Sequence, residues 1–392
     1  MSSFFDFVPD RLSSDSVKWN RYGKDVLPMW IADMDFKVAK PIIHALHDRV
    51  DHGIFGYPVE PLQLREIIVN RLRHLYNWRI SPDALVFLPG VVSGFNLACH
   101  ALTLPGDGVL MQTPIYPPIL NVPANAGLTR DEMELTREPD GHYTIDFDRF
   151  EATIAPRTRI FILCNPHNPV GKVFHHGELE QMARICLRNN IIICSDEIHG
   201  ELLFPGHCHV PIASLAPEIA SNTITLIAPN KTFNIAGLRF SVAIVPNPRL
   251  REKLEAAKQG LVPGIGIMGY VAALAAYRFG QPWLDNLLDY LRVNRDFLIQ
   301  YVTTQLPSIA ISQPEGTYLS WLDCRKAGFT GSPHDFFLNK AKVALNDGST
   351  FGRGGEGFVR LNFGCPRQVL VTALNRIRQA LLSHETLGET NR

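Results

Sequence analysis

The chain of 392 residues is long enough for about two ordinary domains, and 46% hydrophobic with 19% charged residues is a globular composition. Lys and Arg together number 38, as do Asp and Glu, so the formal net charge is zero. This balance argues against a general nucleic-acid-binding surface, which needs an excess or a stripe of basic residues. We therefore expect no nucleic-acid partner.

The first residues, MSSFFDFVPDR, contain acidic residues and a proline where a secretory signal would have a basic end and an apolar core. The stretch 259–277 has no charge, but the glycines and proline of its first half favour a buried helix over a membrane span. The seven cysteines form no CxxC pair and the fourteen histidines form no HExxH motif. These features predict a cytoplasmic protein with reduced cysteines, no metal site and no membrane partner.

Short apolar runs alternate with amphipathic ones between about residues 83 and 245. This alternation predicts an α/β domain with a largely parallel sheet. The runs that predict strands lie at 84–88, 108–111, 159–163, 191–194, 223–227 and 240–245.

The last hundred residues have a different pattern, which predicts a smaller α+β domain. It consists of a long helix over 283–305, strands at 317–322 and 357–363, and a closing helix over 367–382. The predicted division places 48–285 in the large α/β domain. It places 1–47 and 286–392 in the small domain, with the N-terminal arm.

Polar residues follow several of the predicted strands directly. Tyr116 and Asn168 follow the second and third strands, and Asp196 and Lys231 follow the fourth and fifth. The small-residue turn 89–94 leads into a helix, whose N-terminus suits a phosphate. Each feature alone is typical of an ordinary turn or a solvated loop. Together they lie where ligands bind in open α/β sheets, beyond the carboxyl ends of the strands.

This set of residues matches the chemical needs of pyridoxal 5′-phosphate. A lysine amine condenses with an aldehyde to form a Schiff base, and Lys231 is the candidate. The pyridine nitrogen of the cofactor needs a carboxylate to keep it protonated, and Asp196 could supply it. The planar guanidinium of Arg239 matches a phosphate group. The sequence therefore predicts pyridoxal 5′-phosphate as the cofactor.

The whole chain resembles a fold type I pyridoxal-phosphate enzyme of the aminotransferase class I/II superfamily, and more narrowly the MalY/PatB-type C–S β-lyases. The segments that carry the resemblance are WIADMDF (30–36), HGIFGY (52–57), NPHNPVG (165–171), SDEIH (195–199), KTFN (231–234) and VRLN (359–362). They run in the family's order and cover nearly the whole chain. The resemblance implies a large cofactor-binding α/β domain, with a mostly parallel sheet flanked by helices, and a smaller α+β domain.

The resemblance also implies a role for individual residues around the cofactor. Lys231 forms the Schiff base and moves protons at the substrate α-carbon, while Asp196 pairs with the pyridinium nitrogen. Asn168 and His199 lie beside the phenolic oxygen. The remaining implied contacts are Tyr116 stacked on the ring, the backbone of Val91 and Val92 at the phosphate, and the side chain of Arg239 at the phosphate.

On the substrate side, the resemblance implies that Arg360 clamps the α-carboxylate of a small amino acid, which suits its bidentate geometry. Ala32 is implied to contact the same substrate. Tyr57 is implied to act in catalysis by reaching the cofactor phosphate of a neighbouring subunit. A homodimer with active sites at the interface follows from this last role.

Three functions remain open at this point. The first is a C–S β-lyase that converts cystathionine or an S-substituted cysteine to pyruvate, ammonia and a thiol. The second is an aminotransferase, which Arg239 and the segment 228–230 favour because they resemble a transaminase phosphate site. The third is a regulatory protein that retains the cofactor. The intact Lys231, Asp196 and Arg360 argue against the third function.

Overall fold

The computed structural model describes residues 4–390, except for the side chains of 385 and 387–390. The strands in chain order are β1 (Leu27–Pro28), β2 (Leu85–Leu88), β3 (Gly108–Thr113), β4 (Thr129–Glu134), β5 (Thr136–Arg137), β6 (Tyr143–Thr144), β7 (Thr158–Cys164), β8 (Ile192–Asp196), β9 (Thr223–Ile227), β10 (Ser241–Ile244), β11 (Ala310–Ile311), β12 (Leu319–Asp323), β13 (Val343–Ala344), β14 (Asn346–Asp347) and β15 (Phe358–Asn362).

The helices in chain order are α1 (Val17–Asn20), α2 (Lys40–His52), α3 (Leu62–Tyr76), α4 (Val91–Leu102), α5 (Pro117–Leu120), α6 (Val122–Ala126), α7 (Phe147–Ala152), α8 (His176–Arg188), α9 (Pro217–Ser221), α10 (Pro229–Thr232), α11 (Pro248–Lys258), α12 (Ile267–Phe279), α13 (Gln281–Gln305), α14 (Pro333–Phe336) and α15 (Arg367–Thr390). Short 3₁₀ turns and one π-helical turn join some of them.

A central seven-stranded sheet has the order β2-β10-β9-β8-β7-β3-β4. Only β10 runs antiparallel to its neighbours, so the predicted α/β fold with a mostly parallel sheet is confirmed. Its strands other than the edge strand β4 are almost entirely buried, because both faces of the sheet are covered. On β7, Ile160 and Ile162 pack in the layer of α4 and α11, whereas Phe161 and Leu163 pack in the layer of α8.

The strand directions place all the predicted strand-end residues at one edge of the sheet. β2, β3, β7, β8 and β9 point the same way. In the pairing register, Asp196 lies level with Cys164 on one neighbouring strand and with Leu226 on the other. Side chains that follow these strands therefore meet in one place.

A second, antiparallel sheet has the order β11-β12-β15-β14 and carries Arg360 on β15. Arg360 pairs with Trp321 on one side and with Asn346 on the other. The predicted helix over 283–305 corresponds to α13. The predicted closing helix is longer than expected, because α15 continues to Thr390. His384 supports this extension by packing its ring against Phe329 and Phe336.

The division of the chain into 48–285 and 1–47 with 286–392 stays a prediction. Two helices cross its boundaries: α2 spans position 47 and α13 spans position 285. α2 packs on α12, which lies within the predicted large domain.

The uncharged stretch 259–277 forms a loop and then most of α12, as expected for a buried helix with a glycine-rich entrance. Over residues 4–390, none of the helices combines the length and the apolar character that crossing a bilayer requires.

The carboxylate of Asp35 ties the N-terminal arm to the rest of the fold. It is 2% exposed and accepts hydrogen bonds from Lys18 Nζ at 2.6 Å, Arg11 Nη1 at 2.7 Å and Trp19 Nε1 at 2.8 Å. Lys18 is itself only 1% exposed, so the ion pair lies out of water. Removing one partner of such a pair leaves the other charge buried without compensation.

We predict that Asp35→Asn lowers the free energy of unfolding by about 3–5 kcal/mol, because Lys18 and Arg11 lose the charge that they share. Asp25→Asn is the matched control: Asp25 is 64% exposed and lies 3.3 Å from Lys342, so its loss should cost less than about 1 kcal/mol. Urea denaturation of both variants measures the difference. Equal midpoints would contradict the role of Asp35.

Candidate active site

A cavity of about 570 Å³ lies at the carboxyl edge of the central sheet. The α4 N-terminus, the loops after β3, β7, β8 and β9, and the N-terminal arm surround it. The predicted site residues that line it are Ala32, Val91, Val92, Tyr116, Asn168, Asp196, His199, Lys231 and Arg360.

Asp196, the last residue of β8, presents a buried carboxylate to this cavity. It is 2% exposed, and its Oδ1 accepts a hydrogen bond from the backbone N–H of Ile198 at 3.2 Å. Across residues 4–390, no lysine or arginine forms an ion pair with it. Burial accordingly raises the pKa of Asp196 to about 7. A cationic ligand group near this carboxylate would restore its ordinary acidity.

Lys231 lies in α10, the short helix that follows β9, and its side chain is partly buried. Its Nζ donates a hydrogen bond to the carbonyl oxygen of Ala32 at 2.6 Å. Burial lowers the pKa of Lys231 to about 8, while the Asp33 carboxylate opposes that shift and the Arg360 guanidinium adds to it. Roughly a tenth of this amine is therefore unprotonated at pH 7, far more than for an ordinary lysine, and this is the form that attacks a carbonyl.

Arg360 is the third charged group of the cavity and is 3% exposed. Its Nη1 donates to Asn168 Oδ1 at 2.8 Å, and its Nη2 donates to Asn346 Oδ1 at 2.7 Å. The guanidinium also lies 5.0 Å from the ring centre of Phe351. In the described part of the chain it has no carboxylate partner, and burial lowers the pKa of Arg360 to about 10. The group is oriented but not neutralised, as a carboxylate-binding site requires.

Two hydrogen-bonding groups stand beside these charges. His199 is 3% exposed, its Nδ1 is buried without a hydrogen-bond partner, and burial lowers its pKa to about 3, so the ring is neutral. The amide oxygen of Asn168 is committed to Arg360, which leaves its amide nitrogen as a donor. Both residues can therefore serve a ligand oxygen.

The first turn of α4 begins at Val91 and lines the cavity with unpaired backbone N–H groups. Gly94 is the first residue of this helix whose N–H bonds within it, to the carbonyl of Gly90 at 3.1 Å. The N–H groups of Val91, Val92 and Ser93 precede that bond, at the positive end of the helix dipole. This turn is suited to an anion.

Two predicted site residues lie outside the cavity. Tyr57 is fully exposed, and both Tyr57 and Arg239 line a separate groove on the neighbouring surface, together with the loop 263–266. Arg239 has a positive φ of 51° and is exposed, and it does not belong to the cavity lining. In this single chain, neither residue reaches the groups described above.

Hydrogen bonds connect the N-terminal arm, which lines the cavity, to two of the other sequence motifs. Asn362 Nδ2 donates to the carbonyls of Ile31 and Asp33, at 2.8 and 2.9 Å. Asn234 Nδ2 donates to the carbonyls of Met34 and Phe36. The segment 30–36 is thus hydrogen-bonded to both 231–234 and 359–362, although the three lie far apart in sequence.

Sequence reasoning missed several residues of this site. Asn346 orients Arg360 and also accepts a hydrogen bond from the N–H of Ile31 at 3.0 Å. The hydroxyl of Tyr318 donates to the Ala32 carbonyl at 3.0 Å. Both lie in the second sheet or beside it, where no strand-end pattern marks them. The cavity lining also includes Arg11 and Asp33.

The residues fit pyridoxal 5′-phosphate because several of their polar groups lack a charge or hydrogen-bond partner that the cofactor could supply. The cavity offers an amine, a buried carboxylate that lacks a cation, a neutral histidine that lacks a partner and a helix N-terminus. These correspond to the aldehyde, ring nitrogen, phenolic oxygen and phosphate of the cofactor.

Comparison with known proteins agrees with this geometry. The family described as aminotransferase class I and II matches residues 25–377. Cystathionine beta-lyase PatB of Bacillus subtilis is 39% identical over 386 residues, which cover 96% of this chain and 99% of PatB.

Two solved structures are similar over nearly their whole length. OvoB is 44% identical with a TM-score of 0.92, covering 96% of this chain and 98% of OvoB. Cystalysin from Treponema denticola, whose structure contains pyridoxal 5′-phosphate, is 32% identical with a TM-score of 0.92, covering 97% and 98% of the two chains. The chain therefore belongs to the aminotransferase class I and II family and shares its fold with the fold type I enzymes of that family.

Proposed function

We propose that this protein is a pyridoxal-phosphate-dependent C–S β-lyase that cleaves cystathionine or another S-substituted cysteine to pyruvate, ammonia and a thiol. The observation that carries this is the grouping of Lys231, Asp196 and Arg360 around one cavity, where none of the three has an ionic partner among residues 4–390. PatB, which matches 96% of the chain, is a cystathionine beta-lyase. Cystalysin supports the cofactor.

We propose the following residues as the cofactor site. Lys231 would hold the aldehyde carbon, and Asp196 would hold a proton on the ring nitrogen. Asn168 and His199 would donate to the phenolic oxygen. The other proposed contacts are Tyr116 against the ring and the backbone N–H groups of Val91 and Val92 at the phosphate.

When bound, the cofactor supplies an electron-withdrawing ring that stabilises negative charge at the substrate α-carbon. The residues of the chain perform the remaining work. Arg360 binds the α-carboxylate and fixes the orientation of the amino acid, with Ala32 on the opposite wall. Lys231 Nζ takes the proton from the α-carbon. The carbon–sulfur bond at Cβ then breaks and the sulfur leaves with its electron pair.

The N-terminal arm positions Lys231 for this proton transfer through the carbonyl of Ala32. That oxygen accepts hydrogen bonds from both Lys231 Nζ and the Tyr318 hydroxyl, so it fixes the position of the amine within the cavity. The bond is available to a protonated amine and to a neutral one. Lys231 can therefore exchange a proton with the substrate without losing its position.

An assembly of two subunits is part of the proposal. The segment 54–62 exposes Ile54, Phe55, Tyr57, Val59 and Leu62, with exposed fractions from 57% to 105%. Apolar side chains so close together on a surface are typical of an interface. In a homodimer, Tyr57 could reach the phosphate end of the partner's cavity, and Arg239 lines the same groove. The seven unpaired cysteines, six of them buried, support a reducing, cytoplasmic compartment.

An aminotransferase is the second candidate. The same Lys231 would then return the proton to the cofactor side, and a 2-oxo acid would carry the amino group away. Arg239 favours this candidate in sequence, but its exposed position outside the cavity gives it no contact in the single chain that would select between the two reactions.

The main reaction can be tested with the purified holoenzyme. We predict that cystathionine yields pyruvate and free thiol, because a good leaving group at Cβ departs faster than the α-carbon is reprotonated. Lys231→Ala should abolish both products and the borohydride-reducible attachment of the cofactor. Glutamate formation from an amino acid and 2-oxoglutarate, with no thiol release from any S-substituted cysteine, would favour the aminotransferase.

We predict that Asp196→Asn reduces turnover by orders of magnitude but stabilises the cofactor-free protein. In the folded protein the pKa of Asp196 is about 7, whereas the unfolded chain ionises near its ordinary value. The folded state thus keeps a proton that the unfolded state releases between about pH 4 and pH 7, so this carboxyl lowers stability across that window and by a constant amount above it.

The stabilisation by Asp196→Asn should be close to zero at about pH 4 and reach about 2–4 kcal/mol above about pH 7. Thermal and urea unfolding of the apoprotein at several pH values measure it. Asp25→Asn, at an exposed position, should show no such pH dependence. Near-normal turnover in Asp196→Asn would refute the role at the ring nitrogen.

We predict that Arg360→Lys lowers kcat/KM for amino-acid substrates by a factor of tens, or about 2 kcal/mol, because lysine keeps the charge but loses the bidentate fork. The absorption of the bound cofactor should stay as it is. Arg353→Lys, at an exposed position 71% open to solvent, is the matched control and should change neither quantity. An unchanged kcat/KM in Arg360→Lys would show that the α-carboxylate binds elsewhere.

A further inference from the structure

The N-terminal arm contributes Arg11, Ile31 and Asp33 to the lining of the cavity. None of these residues was expected at the site. The Asp33 side chain is 33% exposed and the Arg11 side chain is 20% exposed, so both can meet a ligand that fills the cavity.

Arg11 is neutralised by its neighbours. Its Nη2 lies 2.7 Å from Asp33 Oδ2, and its Nη1 lies 2.7 Å from Asp35 Oδ1. Nη2 also donates to Ser16 Oγ at 2.8 Å, and Nη1 donates to the Met34 carbonyl at 3.2 Å. Arg11 thus pairs with both Asp33 and Asp35, and Asp35 also pairs with Lys18. The four charged groups of this cluster, Arg11, Lys18, Asp33 and Asp35, sum to zero.

Within the described part of the chain, the cavity lining therefore offers one cation to a ligand carboxylate. Its basic residues are Arg11, Lys231 and Arg360. Arg11 is committed to two carboxylates, and Lys231 is committed to the cofactor under the proposed function. Arg360, whose hydrogen-bond acceptors are neutral amides, remains. An amino acid with one carboxylate is matched, whereas a second carboxylate on its side chain would have to lie beside Asp33.

We propose that Asp33 is a specificity-determining residue that excludes dicarboxylic substrates, namely amino acids and 2-oxo acids with a carboxylate at the end of the side chain. Asp33 acts by placing a negative charge in the cavity lining and by pairing with Arg11, the cation that would otherwise receive that carboxylate. Like charges facing each other across an interface are a common means of rejecting a wrong partner.

This inference rests on the proposed function and narrows it. A side chain that is neutral, or that ends in an ammonium and a carboxylate together, brings no net charge to Asp33 and is not rejected. Rejection is expected for aspartate, glutamate and 2-oxoglutarate, because the side chain of each brings one negative charge. The same residue thus disfavours the usual amino acceptors of a dicarboxylate aminotransferase.

The test uses two unreactive ligands of equal length, succinate with two carboxylates and butyrate with one. Isothermal titration calorimetry of the holoenzyme gives their dissociation constants, independently of turnover. We expect the wild-type protein to bind succinate no more tightly than butyrate. In Asp33→Asn, which removes one of the two carboxylates that neutralise Arg11, succinate affinity should rise at least tenfold relative to butyrate. Asp33→Glu should keep the wild-type ratio, as should the control Asp25→Asn.

Arg11→Gln provides an independent arm in case Asp33→Asn loosens the N-terminal segment. It removes the cation and leaves the negative charge of Asp33 in place, so succinate affinity relative to butyrate should fall at least threefold. An unchanged succinate-to-butyrate ratio in both variants would overturn the proposal, as would wild-type protein that prefers succinate tenfold. Failure of the proposed function would instead show as a wild-type holoenzyme that releases no thiol from S-substituted cysteines.

Discussion

The site depends on three charged side chains that the fold holds in one cavity and does not pair with one another. None of the three, Asp196, Lys231 and Arg360, has an ionic partner within residues 4–390. Burial shifts the pKa of each in the direction that favours its neutral form. Keeping such groups out of water is costly. A folded chain tolerates this cost only where the surrounding structure is rigid enough to prevent collapse or pairing. Here the rigid part is the parallel sheet, whose strand ends fix the spacing of Asp196 and Lys231.

Neutral amides orient the charges without cancelling them. Asn168 and Asn346 hold the guanidinium of Arg360, and Asn234 and Asn362 hold the arm whose Ala32 carbonyl receives Lys231. An aspartate at position 168 or 346 would neutralise the guanidinium that the asparagine orients. In contrast, the arm cluster around Asp35 is fully paired, because it serves to anchor the chain. Carboxylates therefore pair with cations where the chain is anchored, and amides hold Arg360 where its charge must stay available to a ligand.

Much of this could be predicted from the sequence because the logic is local. A strand in a covered parallel sheet is an apolar run, and its end is marked by the polar residue that follows it, so Asp196, Lys231, Tyr116 and Asn168 are visible. Asn346 and Tyr318 are not visible, because they reach the site through an antiparallel sheet and a loop contact. Arg11 and Asp33 cannot be predicted from local sequence for a related reason. Their role depends on a charge balance with Asp35 and Lys18, which come together only in the folded arm.

The positions of Tyr57 and Arg239 show a second limit of local reasoning. Both were assigned to the phosphate end of the cofactor by resemblance, yet in the single chain they lie in a groove outside the cavity. A subunit that carries part of its partner's site needs an exposed polar aromatic flanked by apolar side chains, and the segment 54–62 has that composition. If two subunits meet there, their association also completes the site. A ligand that binds only the folded, assembled form then stabilises that form by mass action. If the cofactor and a partner subunit supply the charges that the isolated cavity lacks, then folding, assembly and cofactor binding favour one another for the same physical reason.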